Sequence, residues 1–245
     1  FIPSLSIQLG TTATLSSPTA VGTPNNLTTM LKHIGSDALT VLSLFCAKLC
    51  RSASLTGIAI ILDTASHQLI GRDVEDAFAA LSSTNCVPVR ATILLGEDLD
   101  ERDAILQVLS ETPSEPLLFV AVGGASVTNI VRFAAHCTRN IWVSVMTSTS
   151  NDLYVESTSK IPGRGQNTLK QFVSCSPPRA VVAHLPSLMS APKETIAAGF
   201  ATIISREFSV ADMYLGGLLL NEPLDQLSVR RCLETVKSCV ICRSG

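Results

Sequence analysis

The chain has 245 residues and a mass of 25.9 kDa, with a formal net charge of −2 from 18 Lys and Arg against 20 Asp and Glu. This size fits one domain, or one domain with a small appendage, and the near-neutral charge provides neither a basic field for nucleic acid nor a polybasic patch for a membrane surface. With 46% hydrophobic and 16% charged residues, disorder over most of the chain is excluded, and the most apolar stretch, residues 117–122, is cut off by Gly123-Gly124 far short of a ~20-residue membrane span.

Residues 1–26 are rich in Ser, Thr and Pro and read as an N-terminal arm, with a strand-like alternation at Leu5, Ile7 and Leu9 and no basic start of the kind that opens a signal peptide. Residues 24–50 show helical spacing of Leu27, Met30, Leu31, Ile34, Leu39, Leu42, Phe45, Cys46 and Leu49, broken at Gly35. Residues 57–62 (GIAIIL) form a continuous β-branched run, as in a strand buried on both faces, and end at Asp63. An amphipathic helix over 73–83, a strand over 87–95, a helix over 98–110 and a third buried strand over 116–122 follow. Gly123-Gly124-Ala125-Ser126 then opens a helix over 127–135, and residues 141–145 (IWVSV) make a fourth strand. Strands alternating with helices of about a dozen residues predict a doubly wound, mostly parallel α/β sheet over residues 27–190.

Beyond Met146 the rhythm changes. Residues 161–171 predict a hairpin turned by Gly163 and Gly165, and residues 179–184 predict another buried strand. From Ala191 the chain reads as helical, with Pro192 at a start and Ile196, Ala197, Phe200, Ile203 and Ile204 on one face. A second helix is predicted over 210–220 and a third over 225–239, so residues 191–245 form a short helical region.

The eight cysteines (Cys46, Cys50, Cys86, Cys137, Cys175, Cys232, Cys239 and Cys242) are scattered. Cys239-Val-Ile-Cys242 has neither a second such pair nor a nearby His, which argues against zinc. Structural free thiols, and hence a cytoplasmic protein, are the expectation.

Two motifs carry chemistry. In residues 120–127 (VAVGGASV) a buried strand runs through two glycines into a helix, the arrangement in which free amides at a helix start receive a phosphate. A tight turn without a ligand is the plain alternative. Residues 146–152 (MTSTSND) form a polar run past the carboxyl end of a strand, where open α/β sheets bind ligands. Asp152 there orients a substrate group or caps a turn.

Together these segments resemble the glycerol-1-phosphate dehydrogenase group of the dehydroquinate synthase-like and iron-containing alcohol dehydrogenase superfamily, over residues 27–220. Residues 61–64 with Gly71 look like the family's second strand and turn. Residues 122–129 look like its GGGSVxD dinucleotide loop, and residues 145–152 like its VPTxxSxD segment. Residues 178–184, 191–192 and 197–200 look like the start of its helical domain. The resemblance implies a dinucleotide held by Gly123, Gly124, Ser126 and Asp63.

The chain also departs from that pattern. Ala125 stands for the loop's third Gly, Asn129 for its acidic residue, and Arg132 for its next Lys. The family helix reads AGFGDLLSK, and its Asp ligates the catalytic zinc or iron. Here residues 198–206 read AGFATIISR, so Thr202 stands in that place. A neutral hydroxyl is a poor substitute for a carboxylate on a divalent cation. The family's other ligands are two histidines further along. Gly245 falls before that region, so the helical domain is expected to be truncated, and His33, His67, His136 and His184 match no ligand position.

No metal is therefore expected, and dinucleotide binding is expected to be weakened by the Ala125 methyl. Without a Lewis acid, ordinary dehydrogenase activity loses several kcal/mol of alkoxide stabilisation. Three readings remain. The first is a repurposed, cofactor-free enzyme whose vacated cleft binds an apolar small molecule and promotes a cyclisation or isomerisation by holding its reactive conformer. The second is a surviving NAD(P)-dependent dehydrogenase, and the third a non-catalytic binding protein. The crevice is expected to be lined by Thr147, Ser148, Thr149, Ser150, Asn151, Asp152 and His184 on one wall and by Phe200, Ile203, Met213, Tyr214 and Leu218 on an apolar other wall; on the first reading Thr147, Ser150, Asp152 and His184 touch the ligand, and Asp152 or His184 acts as any acid or base. Apolar surface left by a short helical domain predicts a homodimer.

Overall fold

The computed structural model describes residues 28–85, 87–96, 100–162 and 170–241. The expected arm over 1–26, the hairpin turn at Gly163 and Gly165, and Cys86 and Cys242 lie outside the described residues.

Six parallel strands form the main sheet: β1 Leu31–Gly35, β2 Gly57–Asp63, β3 Val89–Leu95, β4 Leu117–Gly123, β5 Ile141–Met146 and β8 Ala180–His184. Their spatial order is β1-β8-β5-β4-β2-β3. Strand β4 is buried along its whole length, which explains why its sequence alternates in neither direction. Alternate residues serve opposite faces. Ile58, Ile60, Leu62, Val120 and Val122 pack with α1 (Ala38–Ser52) and α3 (Arg72–Asn85). Ala59, Ile61, Phe119, Ala121 and Trp142 pack with α4 (Glu101–Glu111) and α5 (Ala125–Thr138). A face of apolar side chains on each side of one parallel sheet is the doubly wound arrangement the sequence predicts.

Three local expectations are corrected. Residues 31–35 form edge strand β1, not part of a helix; they pair in parallel with β8, Leu31 opposite Ala180 through Gly35 opposite His184. Leu31 and Ile34 fit a helical spacing, but pairing to the open edge of β8 decides the conformation, and Ile34 is left exposed. A short α2 (Thr64–Ser66), a π-helical turn over His67–Gly71 and α6 (Leu185–Met189) were not anticipated. The two helices expected over 191–205 and 210–220 are one, α7 (Lys193–Leu220), because Arg206-Glu207-Phe208-Ser209 holds no Gly or Pro to stop it. It ends at Asn221 in the left-handed conformation, and α8 (Gln226–Ile241) follows.

The antiparallel pair β6 (Thr158–Ile161) and β7 (Gln171–Ser174) is tied to α5 by two of the three residues that depart from the family loop, Asn129 and Arg132. Asn129 Nδ2 donates to the Lys160 carbonyl at 2.7 Å, and its Oδ1 accepts from Lys160 N at 2.9 Å and from Ser159 Oγ at 2.8 Å. Arg132 is 1% exposed; it donates to the Thr158 carbonyl at 2.8 Å and to the Leu153 carbonyl, and its guanidinium lies 5.5 Å from the Trp142 ring centroid. Burial lowers the Arg132 pKa, opposed by the charge of Glu156.

Replacing Arg132 with Met is expected to cost about 3 kcal/mol, because two carbonyls lose charge-assisted donors in a buried place. Thermal unfolding should show a Tm lower by on the order of 10 °C.

Buried acids set an alkaline limit. Burial pushes the Cys50 thiol up to about 11. It pushes the Tyr154 hydroxyl, which donates to the Ser148 carbonyl at 2.8 Å, up to about 12. Raised folded-state values mean that the unfolded chain ionises first. Stability from these groups is complete below pH ~9 and falls as the pH rises through about 11 and 12. Denaturant midpoints measured between pH 7 and 11 should be flat at first and then decline, with the upper part of the decline removed by Tyr154→Phe.

Candidate functional site

The carboxyl ends of β2, β4, β5 and β8 lie side by side, with Leu62 opposite Val122, Gly123 opposite Met146 and Met146 opposite Ala183. This edge gathers Asp63, Gly123, Gly124, Thr147 and His184, as the sequence predicts for an open α/β sheet. Gly123 is required by packing, because a Cβ there would lie 2.6 Å from Val127 Cβ. Gly124 is different: a Cβ there would meet only Ser148 Cβ, at 4.0 Å, so the turn faces open space. Gly124 caps α5 without a side-chain hydrogen bond, and Ser126 is exposed in the first turn. The start of α5 therefore presents free amides to that space.

The other predicted residues are more committed. Asp63 Oδ1 accepts from Ser66 N at 2.7 Å and caps α2. Thr147 is buried, with Oγ1 3.2 Å from Ser66 Oγ. His184 is buried, and its Nδ1 lies 2.8 Å from Ser187 Oγ. Ser150 Oγ is 2.9 Å from Ser148 Oγ and accepts from Asn151 Nδ2 at 3.0 Å, so its hydroxyl belongs to the loop's own network. Trp142 and Tyr154 are core residues.

Helix α7 closes over this loop. A Cβ at Gly199 would fall 2.1 Å from the Thr149 carbonyl oxygen, so only glycine permits the contact. Three residues on, Thr202 Oγ1 is shared between the carbonyls of Ser150 at 3.0 Å and Ala198 at 2.9 Å. One turn further, Arg206 pairs with Asp152. The spacing 199, 202, 206 keeps the three on one helix face. The capping role weighed for Asp152 is not observed; its carboxylate reaches across to α7, and it makes no side-chain cap on the turn at Leu153–Val155.

Between this loop, α7 and α8 lies an open cleft of about 340 Å³, lined by Thr149, Asp152, Ile203, Arg206, Cys232 and Val236 among others. Thr149 Oγ1 is buried without a hydrogen-bond partner. Of the predicted polar wall Thr149, Asn151 and Asp152 line the cleft, whereas Thr147 and His184 are engaged by Ser66 and Ser187 at the sheet edge. The expected apolar wall is corrected as well. Ile203 lines the cleft, while Met213, Tyr214 and Leu218 are exposed on α7 at 42%, 44% and 81%. They lie beyond the part of the helix that meets the loop. Sequence reasoning missed Arg206, Cys232 and Val236. Arg206 was within reach, since it follows Thr202 by four residues on a helix.

The metal position fails a test of its donors. Thr202 brings a neutral oxygen whose proton is directed at backbone carbonyls, and among the described residues no three His, Cys, Asp or Glu are grouped to hold a cation.

A sequence model of the iron-containing alcohol dehydrogenase family matches residues 33–192, well over half the chain. The chain belongs to that family. Among curated relatives, the glycerol-1-phosphate dehydrogenase of Geobacillus thermodenitrificans is 35% identical over 141 residues, covering 58% of this chain and 34% of the relative. That of Geobacillus stearothermophilus is 28% identical over 189 residues, covering 75% and 45%. The chain thus spans between a third and a half of the relatives it matches first. Solved structures agree on the fold. Glycerol dehydrogenase from Schizosaccharomyces pombe aligns with a TM-score of 0.56 at 18% identity, over 73% of this chain and 43% of that one. A 2-deoxy-scyllo-inosose synthase aligns with a TM-score of 0.56 at 18% identity, over 71% and 47%. The fold is the dehydroquinate synthase-like α/β sheet followed by a short helical region. No helix among the described residues is long and apolar enough to cross a membrane.

Replacing Gly199 with Ala is expected to push α7 off the loop and to destabilise by about 2–3 kcal/mol, the range for overpacking against a backbone. Denaturant unfolding measures the loss. Hydrogen exchange should show faster exchange confined first to residues 147–152 and to α7.

Proposed function

We propose that this chain is a metal-independent, non-redox member of its family, an enzyme that binds a small molecule in the cleft between residues 149–152 and helices α7 and α8 and promotes its cyclisation or isomerisation. The observation that carries the reading is Thr202: the family's metal carboxylate is replaced by a hydroxyl already engaged with the Ser150 and Ala198 carbonyls. Holding one reactive conformer requires neither metal nor redox cofactor, and fixed geometry alone supplies a large share of a unimolecular barrier.

The lining refines the ligand. Ile203 and Val236 offer apolar contact, whereas Arg206 and Asp152 offer polar anchors. An apolar skeleton bearing one anionic or carbonyl oxygen fits this combination better than a wholly apolar molecule. Arg206 binds that oxygen, and Asp152 holds the guanidinium in place and accepts a proton released on the same side.

A second reading is favoured by one observation, the open space over Gly124 before an uncapped α5. Gly123, Gly124 and Ser126 would hold the diphosphate of NAD(P), a cofactor that supplies hydride transfer when bound.

Elemental analysis of the purified chain, an NAD(P)H fluorescence titration and a glycerol-1-phosphate oxidation assay separate the two. The expected outcome is substoichiometric zinc and iron and no oxidation of glycerol-1-phosphate. Polyene acids and ketones should then cyclise or isomerise faster than in buffer, and Arg206→Ala should slow them about 10- to 100-fold, the worth of one charge-assisted hydrogen bond. Stoichiometric zinc or iron with NAD(P)-dependent turnover would sink the proposal and establish the second reading.

A further inference from the structure

The charged residues that line the cleft are Arg206 and Asp152, which pair with one another, so the described lining is neutral overall. Its other polar side chains are turned to partners within the chain. Asn151 Nδ2 donates to Ser150 Oγ at 3.0 Å, and its Oδ1 accepts from Leu153 N at 3.1 Å. Thr235 Oγ1 donates to the Arg231 carbonyl at 2.8 Å, and Cys232 Sγ to the Arg206 carbonyl at 3.9 Å. Thr202 is committed to the Ser150 and Ala198 carbonyls, and Thr149 Oγ1 is buried. What remains for a ligand is the ion pair itself. A guanidinium carries five N–H donors, more than one carboxylate oxygen can take. Asp152 meets Arg206 through Oδ2, which leaves Oδ1 its capacity to accept. The two side chains are 43% and 55% exposed, so both are within a ligand's reach.

We propose that this pair makes the cleft selective for an uncharged hydroxycarbonyl compound, whose carbonyl oxygen accepts from Arg206 and whose hydroxyl donates to Asp152. The inference rests on the reading of the cleft as the substrate site and narrows the ligand proposed there. An unpaired Arg206 would favour a carboxylate or a phosphate, because charge-assisted bonds to such anions are strong. Asp152 already occupies that place. A second anion would set two negative charges on one guanidinium, with no further cation among the described lining residues. Like charges so placed repel, and partial exposure to water reduces the repulsion without removing it. A neutral carbonyl meets no such opposition, and a hydroxyl beside it gives Asp152 Oδ1 a donor. Ile203 and Val236 then take the hydrocarbon part of the ligand. Asp152 is in this way the specificity-determining residue of the cleft, and it acts by excluding anions.

Ligand-observed NMR titrations of the full 245-residue chain test this with three eight-carbon probes. They are butyroin (an α-hydroxyketone), the ketone that lacks its hydroxyl, and α-hydroxyoctanoate. Butyroin is expected to bind about tenfold more tightly than either of the others, the worth of one hydrogen bond to a charged group. Asp152→Asn removes the negative charge and keeps the shape, so it should reverse the order of butyroin and α-hydroxyoctanoate. Arg206→Ala should weaken butyroin binding about tenfold while the circular dichroism spectrum stays unchanged. The proposal is overturned if α-hydroxyoctanoate binds the unmodified chain as tightly as butyroin, if Asp152→Asn leaves the order as it was, or if butyroin fails to bind at millimolar concentration. These titrations need no turnover. Loss of the selectivity therefore leaves metal-independent catalysis standing, and stoichiometric metal with NAD(P)-dependent turnover leaves the measured selectivity standing.

Discussion

The contact between the Gly199 backbone and the Thr149 carbonyl fixes how the helical region meets the sheet. With no room for a Cβ, α7 sits directly on the loop that leaves β5. The next turns of the same helix then deliver Thr202 to the Ser150 carbonyl and Arg206 to Asp152. The cleft exists because α8 rests on the neighbouring face of α7 while the loop stays below it. A helix set even an ångström further away would lose the Thr202 hydrogen bond, whose strength falls steeply with distance.

A common thread joins the positions at which this chain departs from its family. Asn129, Arg132 and Thr202 all stand where the resemblance implies ligand chemistry, and all three direct their polar atoms at this chain's own backbone. Asn129 and Arg132 hold the β6–β7 pair against α5. Thr202 holds the loop against α7. Buried polar groups must be satisfied, and a residue engaged in this way has little capacity left for a cation or a phosphate. The start of α5 at the Gly124 turn has no side-chain cap of this kind.

The distribution of apolar surface follows the same division. The two sheet faces are each covered by a helix pair, and β4 is sealed at every position. Among the described residues, helix α7 buries only one of its apolar stripes. Near its start the polar contacts with the loop orient it; near its end Leu218, Leu219 and Leu220 remain outside any core.

The sequence by itself determined the strand–helix alternation, the two-sided burial of the sheet, the glycine turn into α5 and the substitution at Thr202. Each is local: a run of β-branched residues, a glycine pair or a replaced side chain is visible within a few positions. It also placed the carboxyl edge of the sheet, because the carboxyl ends of parallel strands are fixed once the alternation is known. The tertiary structure alone decided that residues 31–35 are a strand, since an edge strand with weak alternation takes its conformation from β8, almost 150 residues away. It also decided which polar residues face the cleft. Asp152 and Arg206 meet across 54 positions of sequence, while His184 and Thr147 are absorbed by Ser187 and Ser66. Such partnerships depend on how closely two backbones approach, and at Gly199 that distance is set by the absence of a single carbon atom.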